Sequence, residues 1–84
     1  MPLVELHPHV HERAPERGAT EEEIVETVLT GESFPAKFGR MGFRKTFVYG
    51  HMWRGRRYAN KEVEAIAVEI PGGWLVLTVI TRYF

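Results

Sequence analysis

Apolar residues recur at helical spacing in the first third of the chain and at alternate positions in its second half. Leu3 to Leu6 alternates weakly and predicts a short edge strand that ends at Pro8. From His9 to Glu16, Val10 and Ala14 stand four residues apart, so both share one face of a short helix. Pro15 lacks a backbone donor, which predicts an irregular helix reaching Arg17, with Gly18 as the left-handed residue that ends it. The next helix has clearer punctuation. Thr20 and Glu23 have the spacing of a capping box, and three glutamates in the first turn suit the positive end of the helix dipole. Ile24, Val25, Val28 and Leu29 form its apolar face, and Gly31 stops it.

Strand periodicity takes over at residue 42. Gly42 to Trp53 is rich in aromatic and β-branched residues, Arg54-Gly55 can turn the chain, and Arg57 to Ile70 reads as a second long strand. Pro71-Gly72-Gly73 is a turn signal, and Trp74 to Tyr83 is a third strand. In the middle strand Ile66, Val68 and Ile70 share a face with Glu64. The predicted architecture is α+β in the order β-α-α-β-β-β. It has an antiparallel sheet of three to four strands, two helices on one face, and an open face where a partner or substrate would lie. Residues 32–41 read either as a short extra strand or as a flap, with Phe34 and Phe38 separated by Pro35.

Eighty-four residues make a single domain, 1–84, with a core just large enough to fold without staples. Cysteine and aspartate are both absent, which excludes disulfides, thiolate metal sites and a cysteine nucleophile. The first residues lack the basic and apolar regions of a signal peptide, and the apolar run Trp74 to Leu77 is too short for a bilayer. A cytoplasmic protein with no membrane partner is expected. Net charge is zero, but it is segregated. Residues 1–34 carry eight glutamates against Arg13 and Arg17, a balance of −6. Residues 35–62 carry eight basic side chains against Glu62, a balance of +7. A basic middle dominated by arginine suits an anionic partner; alternatively, the two halves neutralise each other within the fold or across a homodimer.

Three constellations invite chemistry. His7, His9 and His11 alternate, as ligands on a strand would, but Pro8 and the helix after it break that geometry, so no metal is expected. His9, Arg13 and Arg17 form a stripe along a helix. A neutral imidazole there could take a proton while the arginines hold phosphate. The competing reading, which spacing favours, is an internal network in which the arginines pair with Glu5, Glu12 or Glu16 and His9 caps the helix. Finally, Phe43, Lys45, Phe47, Tyr49, His51 and Trp53 alternate onto one strand face. With a two-residue turn at Arg54-Gly55, His51 falls opposite Tyr58 and Val48 opposite Lys61. Interleaved aromatics and cations suit single-stranded nucleic acid, although such a row is also what a core strand presents. Ser33 is the only serine, no phosphate cradle is present, and no cofactor is expected.

The order His9, Arg13, Arg17-Gly18, then Thr20-Glu21-Glu22-Glu23 and an aliphatic face, resembles a family of small bacterial proteins classed as a domain of unknown function. The resemblance extends to Tyr58-Ala59-Asn60-Lys61-Glu62-Val63 and to Val76-Leu77-Thr78-Val79-Ile80. It implies a fold distantly similar to the RelE/ParE-type toxins, whose members cleave ribosome-bound mRNA or bind other essential targets. Those proteins use basic residues, with a tyrosine or histidine, on the open face of the sheet, and Arg82-Tyr83 suits that pattern.

The leading expectation is therefore a RelE-like protein that binds or cleaves RNA, free or on the ribosome. An enzyme of this kind would be a metal-independent ribonuclease, with His9 or Lys61 as base or acid and Arg82 and Tyr83 completing the site. Arg13, Arg17, Lys45, His51, Arg57 and Tyr58 would contact the substrate. An acidic antitoxin-like protein would be its natural partner. The alternative is a non-catalytic module for protein interaction or self-association.

Overall fold

The computed structural model describes residues 2–84. Strand β1 (Leu3–Leu6) leads into helix α1 (Pro8–Arg17) and helix α2 (Glu21–Thr30). Strand β2 (Glu32–Pro35), a single 3-10 turn (Lys37–Gly39) and the long strands β3 (Met41–Trp53), β4 (Arg56–Ile70) and β5 (Gly73–Tyr83) follow. The protein is α+β, as the periodicity predicts. The sheet is larger than expected and mixed, with five strands in the order β1-β5-β4-β3-β2. Strands β2 to β5 are antiparallel, whereas β1 pairs with β5 in parallel, Leu3 opposite Gly73 and Leu6 opposite Val76. A parallel edge strand needs a long crossover, and everything between β1 and β5 supplies it. Among the described residues no helix is long and apolar enough to cross a membrane.

Both helices form where their caps place them. At α1 the cap is His7, whose Nδ1 accepts the His9 N–H at 3.0 Å, rather than His9 itself. Pro8 occupies the first turn, where its missing donor costs nothing. Pro15 lies in the last turn and Gly18 ends the helix at φ 75°. The capping box of α2 is complete: Glu23 N–H donates to the Thr20 hydroxyl at 3.1 Å, and Thr20 N–H donates to Glu23 Oε1 at 2.9 Å. The buried face of α2 is Ile24, Thr27 and Val28, while Val25 and Leu29 are only half-buried. Thr27 is tolerated there because its hydroxyl donates to the Glu23 carbonyl at 2.7 Å.

Helices α1 and α2 cover one face of the sheet. Val10, Ala14, Ile24 and Val28 meet Phe43, Val63, Ala65, Ala67, Val76 and Val79 in a single core. The strand side of that core contains alanines because helices pack close to it. The bulkier Ile66, Val68 and Ile70, alternating with them on β4, occupy the face without helices and are only half-buried. The segment 32–41 is both strand and flap. Strand β2 pairs with β3, and the Phe34 ring lies over Gly42, where any Cβ would overlap it. The turn after β2 then stands over the open face beside Glu64, Ile66, Thr78 and Ile80.

Candidate nucleic-acid interface

The hairpin of β3 and β4 outreaches its neighbours. The last backbone contact of the β5 end with β4 is at Asn60, which exchanges hydrogen bonds with Phe84 at 2.8 and 3.1 Å, so the hairpin between residues 49 and 59 is a two-stranded ribbon. Arg54 (φ 51°) and Gly55 (φ 83°) make the expected two-residue turn with both residues left-handed. Asparagine or aspartate normally precedes the glycine of such a turn, so an arginine there adopts a strained backbone. His51 lies opposite Tyr58 as predicted, but Val48 pairs with Asn60 rather than Lys61. The register changes because of a bulge between Val48 and His51, where Gly50 has φ 67°. The bulge shifts the pairing beyond Tyr49, but the rings of the row stay together, since His51 packs on Tyr49 and Trp53 joins Tyr49 at Tyr83.

Past the bulge the ribbon bends over the end of α1. Trp53 stacks on Tyr83 with ring centroids 4.8 Å apart and planes 16° from parallel, and Arg54 Nη2 donates to the Glu16 carbonyl at 3.0 Å. Tyr49 and Tyr58 also meet Tyr83, at 5.2 and 5.7 Å, and His51 packs edge-on to Tyr49 at 5.2 Å. Arg54, Arg56 and Arg57 are exposed around these rings, and none is in a salt bridge among the described residues. Arg54 sits 5.2 Å over Trp53 and Arg56 6.0 Å over Tyr58, while Arg57 donates to the Gly50 carbonyl at 3.0 Å. The hairpin tip thus combines aromatic rings with guanidinium groups that no carboxylate neutralises among the described residues, the two kinds of group that single-stranded nucleic-acid sites use.

The proposed catalytic set is distributed differently. Lys61, 5% exposed, points beneath the helices and donates to the Gly18 carbonyl at 2.9 Å and to Glu23 at 2.8 Å. The Tyr83 hydroxyl, on the same face, donates to the Arg17 carbonyl at 2.8 Å. Burial and the neighbouring Tyr49 push its pKa up. Arg82 projects from the opposite face, where it binds Glu62 at 2.8 Å and Glu64 at 3.3 Å. These carboxylates, Glu64 first, hold its guanidinium still more firmly protonated. His9 is exposed on α1. Chemistry needing all four at one atom has no common point here.

The substrate-contact candidates divide as well. His51, Arg57 and Tyr58 belong to the hairpin tip. Lys45 faces α2, bonded to Glu26 and to Thr30 at 2.8 and 2.7 Å. Arg17 turns inward and donates to the Val79 carbonyl, leaving Arg13 on the surface beside Glu16 at 3.3 Å. The helical stripe of His9, Arg13 and Arg17 is thus not one surface, because the last member fastens α1 to the sheet. The three histidines diverge too: His7 caps α1, His11 pairs with Glu21, and His9 is exposed. No group of three histidine, cysteine or carboxylate side chains suited to a metal ion exists among the described residues.

Tyr49 and Trp53 stood in the predicted aromatic row, whereas Arg54 and Arg56 are the site residues that spacing alone did not single out. Their signal is visible in hindsight: Arg54-Gly55-Arg56-Arg57 puts three like charges at a tight turn with no carboxylate nearby in sequence. Compared with protein-family models, curated proteins and solved structures, the chain matches none.

Proposed function

We propose that this protein binds RNA through the tip of the β3–β4 hairpin. The observation that carries the reading is the coincidence of three exposed arginines, in no salt bridge among the described residues, with the contiguous rings of Tyr49, Trp53, Tyr58 and Tyr83. Like charges clustered on a projecting ribbon repel one another, so they are better suited to an anionic ligand than to stabilising the hairpin. Binding rather than cleavage is the version that side-chain placement supports, since Lys61 and Tyr83 spend their polar atoms on backbone carbonyls. The finer RelE-like description belongs to the same reading. The helix pair followed by the meander β3–β4–β5 supports it, and the parallel β1–β5 pair is the departure from it.

The test is fluorescence anisotropy with a labelled single-stranded RNA across a salt series. Wild type should bind with an affinity that falls as salt rises, by about 0.7 log units per log unit of salt for each phosphate contacted. Replacing Arg54, Arg56 and Arg57 by alanine should make that slope shallower by about 2. Absence of binding at low salt, or an unaltered slope in the triple variant, overturns the proposal. The same RNA run on a gel tests cleavage: strand scission that His9→Ala abolishes would restore the ribonuclease.

A further inference from the structure

The face of the sheet opposite the helices has features that RNA binding at the hairpin does not use. Its floor is aliphatic, with Ile66, Val68 and Ile70 of β4 beside Leu75 and Ile80 of β5, all half-buried. Above it stands the turn after β2, whose Phe38 is 87% exposed. Phe38 also has φ 61°, a left-handed backbone that a bulky residue adopts only under strain. Within the chain the Arg40 guanidinium lies 5.7 Å from the centre of this ring, and most of the ring faces water. Next to it lies a hollow of about 460 Å³, floored by Ile66, Thr78 and Ile80.

We propose that this face docks a second copy of the same chain, the Phe38 of each copy entering the hollow of the other. A knob beside a matching hole on one surface is what a two-fold, self-complementary interface requires. The charges match in the same way. Lys37 and Arg40 stand at the rim and are in no salt bridge among the described residues. Glu62 and Glu64 share the single cation Arg82, leaving one negative charge in excess on the floor. In a two-fold pair the basic rim of one copy meets the acidic floor of the other.

Residues 62–70 of β4 run roughly 30 Å, and the sheet is about three strands, roughly 15 Å, wide along most of that length. The flat patch is thus roughly 450 Å², below the ~800 Å² per partner of a standard interface, which suits a weak pair that forms at high concentration. Two such faces stack as a sandwich about 10 Å apart. The inference stands independently of the RNA reading, because the hairpin tip lies outside the face.

Sedimentation velocity on the full chain, from micromolar to millimolar concentration, tests it. Wild type should sediment as a dimer that dissociates on dilution. Phe38→Gly removes the knob while relieving the backbone, so the fold is retained, and it should weaken the dimer about 1000-fold, because a two-fold pair loses two hot spots at about 30-fold each. Ile66→Lys on the floor should give monomer, with circular dichroism confirming the fold of both variants. A wild type that stays monomeric throughout overturns the proposal and leaves the face to some other occupant. A dimer that Phe38→Gly leaves equally tight also overturns it, since the contact must then lie elsewhere.

Discussion

The Oε1 atom of Glu23 lies 2.8 Å from the ammonium of Lys61 and 2.9 Å from the N–H of Thr20. One carboxylate oxygen thus closes the capping box of α2 and also neutralises the buried cation of β4. Local helix punctuation and tertiary docking share an atom, which ties the start of α2 to the sheet.

Replacing Lys61 by alanine removes the bonds to Glu23 and to the Gly18 carbonyl together. Breaking a buried ion pair on one side leaves uncompensated polar atoms, so unfolding in urea should show a loss of roughly 2–4 kcal/mol. If Lys61 serves structure and not RNA, the variant should bind RNA as wild type does wherever it remains folded. A large loss of affinity in folded protein would return Lys61 to the site.

Gly18 terminates α1 at φ 75°, and a Cβ there would overlap both the Tyr83 hydroxyl and the Trp53 ring. Gly18→Ala should therefore cost more than the ~1 kcal/mol of backbone strain alone. Tryptophan fluorescence should shift to the red as Trp53 leaves its stack, and RNA affinity should fall with it.

Tyr83 titrates above its ordinary pKa of 10.0, because burial disfavours the phenolate and Tyr49 adds to the effect. Its neutral form is favoured by the fold, so this contribution is complete below the unfolded pKa. It is lost as pH rises through the folded one. Urea midpoints should decline above about pH 10, and Tyr83→Phe should flatten that decline. The variant also lacks the bond to the Arg17 carbonyl, a loss of about 1 kcal/mol at neutral pH.

Phe34 lies on Gly42 and receives the Arg44 guanidinium 4.2 Å from its ring centre. Gly42→Val should displace the ring and free β2 from β3. Amide exchange at residues 32–35 should speed up while the β4–β5 ladder stays protected. Unchanged protection of β2 would contradict this account.

Much of this architecture was legible because it is local. Thr20-x-x-Glu23, Gly18 and Arg54-Gly55 each act within a few residues, and each sits where its short-range chemistry puts it. The charge halves were legible too, and Lys45–Glu26 and Lys61–Glu23 show them meeting inside the chain. The site was less so. Spacing made His9, Arg13 and Arg17 a stripe, but it carries no information on which way a long side chain turns, and Arg17 turned inward to Val79.

The sequence by itself determined the two helices, the three-strand meander and the turns between them, since periodicity and capping act at short range. Tertiary structure alone decided the parallel pairing of β1, because strands distant in sequence carry no mark of their partners. It also decided which apolar face of β4 the helices cover. Both faces are apolar, and close helix packing selected Val63, Ala65 and Ala67 over the bulkier Ile66, Val68 and Ile70. A single bulged residue near Gly50 then bent the hairpin, carrying Trp53 and Arg54 to the end of α1 and bringing the aromatic and basic groups together.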